Sequence, residues 1–199
     1  MSTQKPVIAA FDFDCTITTT DSFRLFFKFL LGSRRYYTML LRHFWPLAGY
    51  ALGIVSNERA KGILLRGFLR GMTLDDFERH CRDYAASHHH IVRPEAEEAI
   101  ARHLLQGHQV VVITASIKQW VEPMVDSRVA VLATELEVDD NGVITGNLAT
   151  PNCYGLQKVE RLRQWAARPL KDYHIIAYGD SRGDKELLFI ANEKHYREL

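Results

Sequence analysis

Two aspartates separated by a single residue, Asp12 and Asp14, close the apolar run VIAAFDFD that follows Pro6. Residues two apart in a strand point to the same face, so these carboxylates share one environment. Ionised and unpaired in an apolar interior they would be costly, so either they protonate or a cation lies between them. A hard divalent cation with oxygen ligands is the natural partner. The bland alternative is a pair of acids flanking a turn at a strand end. Further along, HIIAYGD ends on Asp180, and GDSRGD (Gly179 to Asp184) adds Asp184; QVVVIT ends on Thr114. Ligands bind where the strands of an open α/β sheet end at its carboxyl edge, and Asp12, Asp14, Thr114 and Asp180 all fall at such ends.

The elements that must carry these residues are legible as pattern. VIAAFDFD, Gln109 to Thr114 and His174 to Asp180 are short apolar runs of the kind that form buried parallel strands, with Val129 to Thr134 as a further candidate. Helical spacing covers Pro94 to Gln106, Ile117 to Val125, and Leu156 to Ala166. Strands alternating with helices predict an α/β fold with a Rossmann-like parallel sheet. Asn141-Gly142 between alternating runs predicts a peripheral β-hairpin. Ser181 with Asp184, and Ser116 with Gln119, read as helix capping boxes. A helix start aimed at the strand ends also offers free N–H groups to a phosphate, so for Ser116 capping and ligand binding are compatible. Residues 20–90 show helical pattern and no convincing strand, which predicts a helical cap (20–90) inserted into a core of residues 1–19 and 91–199.

The chain has 199 residues, 47% hydrophobic, with a net charge of +1, so it is long enough to bury a core and its average excludes a disordered or generally nucleic-acid-binding chain. The average hides an asymmetry. From Arg24 to Arg70 there are nine Lys and Arg and one acid, Glu58, a local balance of +8. Such a segment favours an anionic partner. The three cysteines are widely spaced, with neither a zinc pattern nor a disulfide framework, and the first apolar run is broken by Asp12 before a signal core is complete. Cytoplasmic residence is the expectation.

DFDCT (Asp12 to Thr16) and GDSRGD resemble the first (DxDxT) and fourth (GDxxxD) motifs of the haloacid dehalogenase superfamily, in the same order. Thr114 matches its second motif and Lys158 its third. The resemblance implies a phosphomonoester hydrolase. Asp12 would be the nucleophile and Asp14 the general acid and base. Mg2+ would be held by Asp12, the Asp14 carbonyl and Asp180, with Asp184 acting through water. Thr114, the N–H groups of Ala115 and Ser116, and Lys158 would hold phosphate oxygens. Taken alone, a lysine beside Glu160, Arg161 and Arg163 is an ordinary solvated residue, and only the motif order singles it out.

Within the superfamily the chain looks like the phosphoserine-phosphatase-like branch (subfamily IB), whose cap follows the first motif. That branch reads the amino group of its substrate with a Glu nine residues after the nucleophile; Asp21 stands there in this chain. The basic, apolar cap is similar to that of the phosphatidylglycerophosphatase C family. Thr20 or Asp21 reads as the N-cap of a helix carrying Phe23, Phe26, Phe27, Leu30 and Leu31, a stripe that is either core or ligand surface. Tyr36, Tyr37, Phe44, Trp45 and Tyr50 follow among the basic residues. The uncharged run Phe44 to Val55 is shorter than the roughly 20 residues a bilayer crossing needs. It fits a helical hairpin lying on an anionic membrane, and hence a lipid phosphate such as phosphatidylglycerophosphate. A soluble metabolite phosphatase and a nucleic-acid end phosphatase are the alternatives. The His88-His89-His90 run reads as solvated, because neighbouring helical residues face different ways.

Overall fold

The structure is a computed structural model and describes residues 5–199, the side chains of Pro46, Leu47, Tyr50, Ala51 and Asn57 excepted. Five parallel strands form the central sheet in the order β3-β2-β1-β6-β7: β1 Val7–Phe11, β2 Gln109–Ile117, β3 Ala130–Thr134, β6 His174–Gly179 and β7 Glu193–Tyr196. β1 is central, with Phe11 opposite Val112 on one side and Tyr178 on the other. Ile8, Ala10, Val111, Ile113, Ile175 and Ala177 pack on one face of the sheet against Leu162 and Leu187, from helices α8 (Leu156–Trp165) and α9 (Lys185–Ile190). Ala9, Phe11, Val112 and Ile176 point the other way, toward Ala96, Ala99 and Ile100 of α6 (Pro94–Leu105). Helices on both faces of a parallel sheet require strands apolar on both sides, which is what the continuous apolar runs encode.

Between β1 and β2 the chain forms α1 (Ser22–Leu31), α2 (Ser33–Arg42), α3 (Phe44–Ala51), α4 (Asn57–Leu69) and α5 (Leu74–His88). Asp21 caps α1 by accepting from the Phe23 N–H at 2.9 Å. The aromatic stripe of α1 is core: Phe26 and Phe27 are fully buried, and Phe26 stacks on Trp120 of α7 (Lys118–Val121). Among the described residues, no helix is long and apolar enough to cross a membrane.

Four elements differ from the sequence expectation. β1 ends at Phe11, because the Asp12 N–H makes a last bond to the Tyr178 carbonyl and Phe13–Ile17 then curls into a turn closed by Thr18 N–H on the Phe13 carbonyl. The expected helix from Ile117 shrinks to α7, since β2 bulges after Thr114 and continues to Ile117, and Pro123 lies in the short turn after α7. Ser116 is therefore a strand residue and caps no helix. The hairpin β4 (Leu136–Val138) and β5 (Ile144–Leu148) forms outside the main sheet, as its pattern implied, but it is no loose appendage. Ile144 is fully buried and trades backbone hydrogen bonds with Gly71 and Met72, and a Cβ on Gly146 would come within 2.7 Å of the Arg66 Cα on α4. β7 was missed: its sequence EKHY has no apolar run, because an edge strand has one solvated side.

Candidate active site

The carboxyl ends of β1, β2 and β6 converge, and α8 delivers a lysine to them. Gly155 starts α8 in a positive-φ conformation (φ 61°) and donates its N–H to the Gly183 carbonyl, tying the helix to the loop after β6. Lys158, only 2% exposed, then places Nζ 2.5 Å from Oδ1 of Asp12 and 2.5 Å from Oδ1 of Asp184. Burial works against the ammonium, yet the two carboxylates outweigh it and hold Lys158 protonated. Burial likewise raises the pKa of Asp12, with Lys158 pulling it back down and Asp184 adding repulsion.

The GDSRGD loop folds on itself. Oδ2 of Asp184 accepts from the N–H of Asp180 (3.2 Å), the N–H of Ser181 (3.0 Å) and the Ser181 hydroxyl (2.9 Å), while Ser181 Oγ accepts from Gly183 N–H. The capping box read from the sequence is therefore formed. Gly179 is required by contact: a Cβ there would lie 2.6 Å from the Cβ of Asp184.

Asp12, Asp180 and Asp184 bring carboxylate oxygens within 4.8 Å of one another. The three are not equivalent. Both oxygens of Asp184 are committed to donors, whereas the Asp180 carboxylate accepts no hydrogen bond among the described residues, and Oδ2 of Asp12 has only a long 3.4 Å contact from Thr16. Burial, then the Asp184 charge, raise the pKa of Asp180. Uncommitted oxygens of Asp12 and Asp180, with three acids against one ammonium, suit a hard divalent cation. Asp184 suits an indirect position behind them.

Asp14 stands apart from the lysine. Oδ1 accepts from the Ser22 N–H at 2.6 Å and Oδ2 from the Ser116 hydroxyl at 2.5 Å. Ser22 Oγ in turn takes the Trp120 indole N–H at 3.1 Å. Burial, then Asp21, raise the Asp14 pKa, and the two serines oppose them. Thr114 is 1% exposed and its Oγ1 accepts from the Ser116 N–H at 3.0 Å. The Ala115 carbonyl accepts from Thr134 Oγ1 at 2.8 Å and from the Lys61 ammonium of α4. Lys61 also donates to Asn152 Oδ1 at 2.8 Å.

All the site residues read from the sequence thus gather at one sheet edge. Ser22, Lys61, Thr134 and Asn152 escaped that reading. Lys61 was visible only as one of nine basic residues, and nothing in the sequence marked the one that turns inward. Cys15, at φ 61° in the turn after β1, has its thiol pushed up to about 11 by burial and the surrounding carboxylates, so it is no thiolate nucleophile. The histidine run does not converge on a site: His88 stacks on Tyr84 and His89 pairs loosely with Glu97.

The family model for haloacid dehalogenase-like hydrolases matches residues 9–188, from β1 through α9. The chain belongs to this family. It is similar to Protein CicA of Caulobacter vibrioides, 35% identical over 196 residues that cover 97% of this chain and 86% of that one. A structure from Bordetella pertussis Tohama I, described as of unknown function, superposes with a TM-score of 0.83 at 24% identity, covering 96% of this chain and 89% of that chain. A phosphoserine phosphatase with bound substrate superposes at 0.60 and 17% identity, covering 98% and 86%. These likenesses extend the shared fold over the helices between β1 and β2 as well as over the sheet.

Proposed function

We propose that the chain is a phosphomonoester hydrolase that works through a phosphoaspartate on Asp12. The observation that carries this reading is the division of labour between two neighbouring aspartates. Asp12 is paired with an ammonium and sits beside the uncommitted Asp180 carboxylate; Asp14 is held by Ser116 and Ser22 with no cation in contact among the described residues.

An Asp12 oxygen attacks phosphorus while the bond from phosphorus to the ester oxygen breaks, and Asp14 gives its proton to that leaving oxygen. Asp14, now a carboxylate, takes a proton from a water whose oxygen attacks the phosphoaspartate, which frees Asp12 and inorganic phosphate. Lys158 holds Asp12 in place and offers positive charge to phosphate oxygens, with the Thr114 hydroxyl and the Ala115 N–H as further donors. The Ser116 N–H is already given to Thr114, so Ser116 contributes through its hydroxyl on Asp14. Magnesium, held by Asp12, Asp180 and the Asp14 carbonyl, would neutralise phosphate-oxygen charge.

For the substrate, the surface of α2, α3 and the following loop supports a lipid phosphate. Leu41 is 78% exposed, Trp45 81%, Leu52 75% and Ile54 78%, and the exposed Arg34, Arg35 and Arg42 lie in the same stretch of sequence. Single exposed apolar residues need no explanation, but several in one short stretch that also carries exposed cations fit the interface of an anionic membrane, at about 1 kcal/mol for each basic residue near the surface. On this reading residues 20–90 are a cap that docks peripherally on the inner face of the membrane and presents a headgroup such as phosphatidylglycerophosphate to the core. The test is Mg2+-dependent phosphate release from phosphatidylglycerophosphate in mixed micelles and from a panel of soluble esters, with Asp12→Asn as control. Lipid preference together with sedimentation on anionic vesicles supports the reading. Preference for a soluble ester with no vesicle binding overturns the lipid part, and turnover by Asp12→Asn overturns the mechanism.

A further inference from the structure

The peptide group joining Ala115 to Ser116 is the hub of the phosphate side of the site. Its N–H is donated to Thr114 Oγ1 at 3.0 Å. That bond fills an acceptor position on the Thr114 hydroxyl, whose own proton has no acceptor among the described residues and is free for a ligand oxygen. The Ser116 side chain, leaving the same peptide, donates to Asp14 at 2.5 Å. The orientation of one peptide plane therefore aligns both Thr114 and Ser116.

What fixes that plane is its carbonyl. Thr134 Oγ1 of β3 donates to it at 2.8 Å, and the Lys61 ammonium donates to it from α4, a helix belonging to the segment between β1 and β2. β2 is irregular at this point, its pairing with β3 shifting between Thr114 and Ile117, so the ladder does not set the plane. The hold on α4 is double. Lys61 reaches Asn152 Oδ1 at 2.8 Å, and Glu58, one turn earlier, accepts from the Asn152 N–H at 3.4 Å. A charged donor on a carbonyl also polarises the peptide and strengthens its N–H as a donor.

We propose that Lys61 is a positioning residue: by gripping the Ala115 carbonyl from α4 it makes the alignment of the Thr114 hydroxyl and of the Ser116–Asp14 bond depend on where α4 sits. Closure of the helical segment over the sheet edge and readiness of the phosphate site become one event. This inference rests on the phosphatase reading above. Lys61 needs no contact with substrate to act in this way, and Lys158, buried beside Asp12, is not its substitute.

The experiment is steady-state hydrolysis of p-nitrophenyl phosphate with Mg2+ by the full chain and by Asp12→Asn, Lys61→Met, Lys61→Arg, Thr114→Val and the Lys61→Met/Thr114→Val double variant, with thermal unfolding of each. Lys61→Met is expected to lower kcat by about tenfold with KM nearly unchanged, the signature of an interaction made in the transition state. Lys61→Arg, which keeps a cationic donor, should recover most of it. Because part of the effect of Lys61 runs through Thr114, the double variant should lose less than the product of the single losses. Multiplicative losses, or a Lys61→Met indistinguishable from the parent, overturn the proposal while leaving the phosphatase reading intact. A parent chain with no Asp12-dependent turnover overturns that reading and this inference with it. Should Lys61→Met unfold, Lys61→Gln, which retains an amide donor, carries the same comparison.

Discussion

The hydroxyl of Ser116 donates to Oδ2 of Asp14 at 2.5 Å, joining residues 102 positions apart in sequence. A hydrogen bond to a carboxylate favours its ionised form, so this contact and the Ser22 N–H oppose the burial that raises the Asp14 pKa. The two halves of the proposed cycle ask different things of Asp14, which must be protonated to release the leaving group and ionised to activate water. Ser116→Ala shifts the balance toward the protonated form. The second step should slow by about tenfold, while the first is nearly unaffected. Rapid-quench measurement should then find phosphorylated enzyme accumulating in Ser116→Ala and not in the parent. Equal slowing of both steps would remove Ser116 from the control of Asp14.

Lys158 is a cation enclosed between Asp12 and Asp184 at 2.5 Å from each. Removing one partner of a buried ionic group leaves the others uncompensated, which typically costs about 3–5 kcal/mol. Lys158→Met should accordingly lower the urea midpoint as well as abolish turnover. Lys158→Arg should rescue neither, since a planar guanidinium cannot occupy the position of a compact ammonium closed in on both sides. An active, fully stable Lys158→Arg would mean that the position needs only charge.

How far the sequence speaks depends on the kind of interaction. The placing of Asp12, Asp14, Thr114 and Asp180 at one sheet edge was legible because buried parallel strands write themselves as apolar runs, and ligands bind where such strands end. The Ser181–Asp184 box was recoverable because it is local, closed within four residues. Ser116 was misread as the cap that starts a helix: its spacing to Gln119 imitates one, and only the β-bulge, a tertiary feature, keeps it in the strand. Lys61 and Asn152 are 91 positions apart, and no local pattern marks such a pair. β7 lacks any apolar signal because its position at the sheet edge needs none.

His103 lies buried behind the site, its Nδ1 2.8 Å from Nδ1 of His108 and its Nε2 3.0 Å from the Tyr178 hydroxyl. Burial, then the nearby charges of His108, Arg102 and His195, hold its pKa below the ordinary 6.5, with Glu193 opposing. The unfolded chain therefore takes up a proton more readily than the folded one. The associated stability is fully present above pH about 6.5 and is lost as the pH falls through the folded-state pKa. The urea midpoint should decline from pH 7.5 to pH 5, and His103→Gln, which keeps donor and acceptor but does not titrate, should decline less. Parallel declines would assign the acid sensitivity to other groups.

Asp180 contributes an uncommitted, half-buried carboxylate close to two others, an arrangement that costs stability unless a cation fills it. Without metal, Asp180→Asn should then be more stable than the parent, because it relieves repulsion from Asp184 and removes a charge that burial disfavours. With Mg2+ the order should reverse. A cation present at about 100 times its dissociation constant stabilises the parent by about 2.7 kcal/mol. That corresponds to a rise in Tm of several degrees for a chain of this size. Asp180→Asn should show little of that rise. Thermal unfolding of both proteins in EDTA and in Mg2+ separates the possibilities: equal rises would place the cation away from Asp180, and a parent more stable than Asp180→Asn in EDTA would mean that the carboxylate is held by the protein itself.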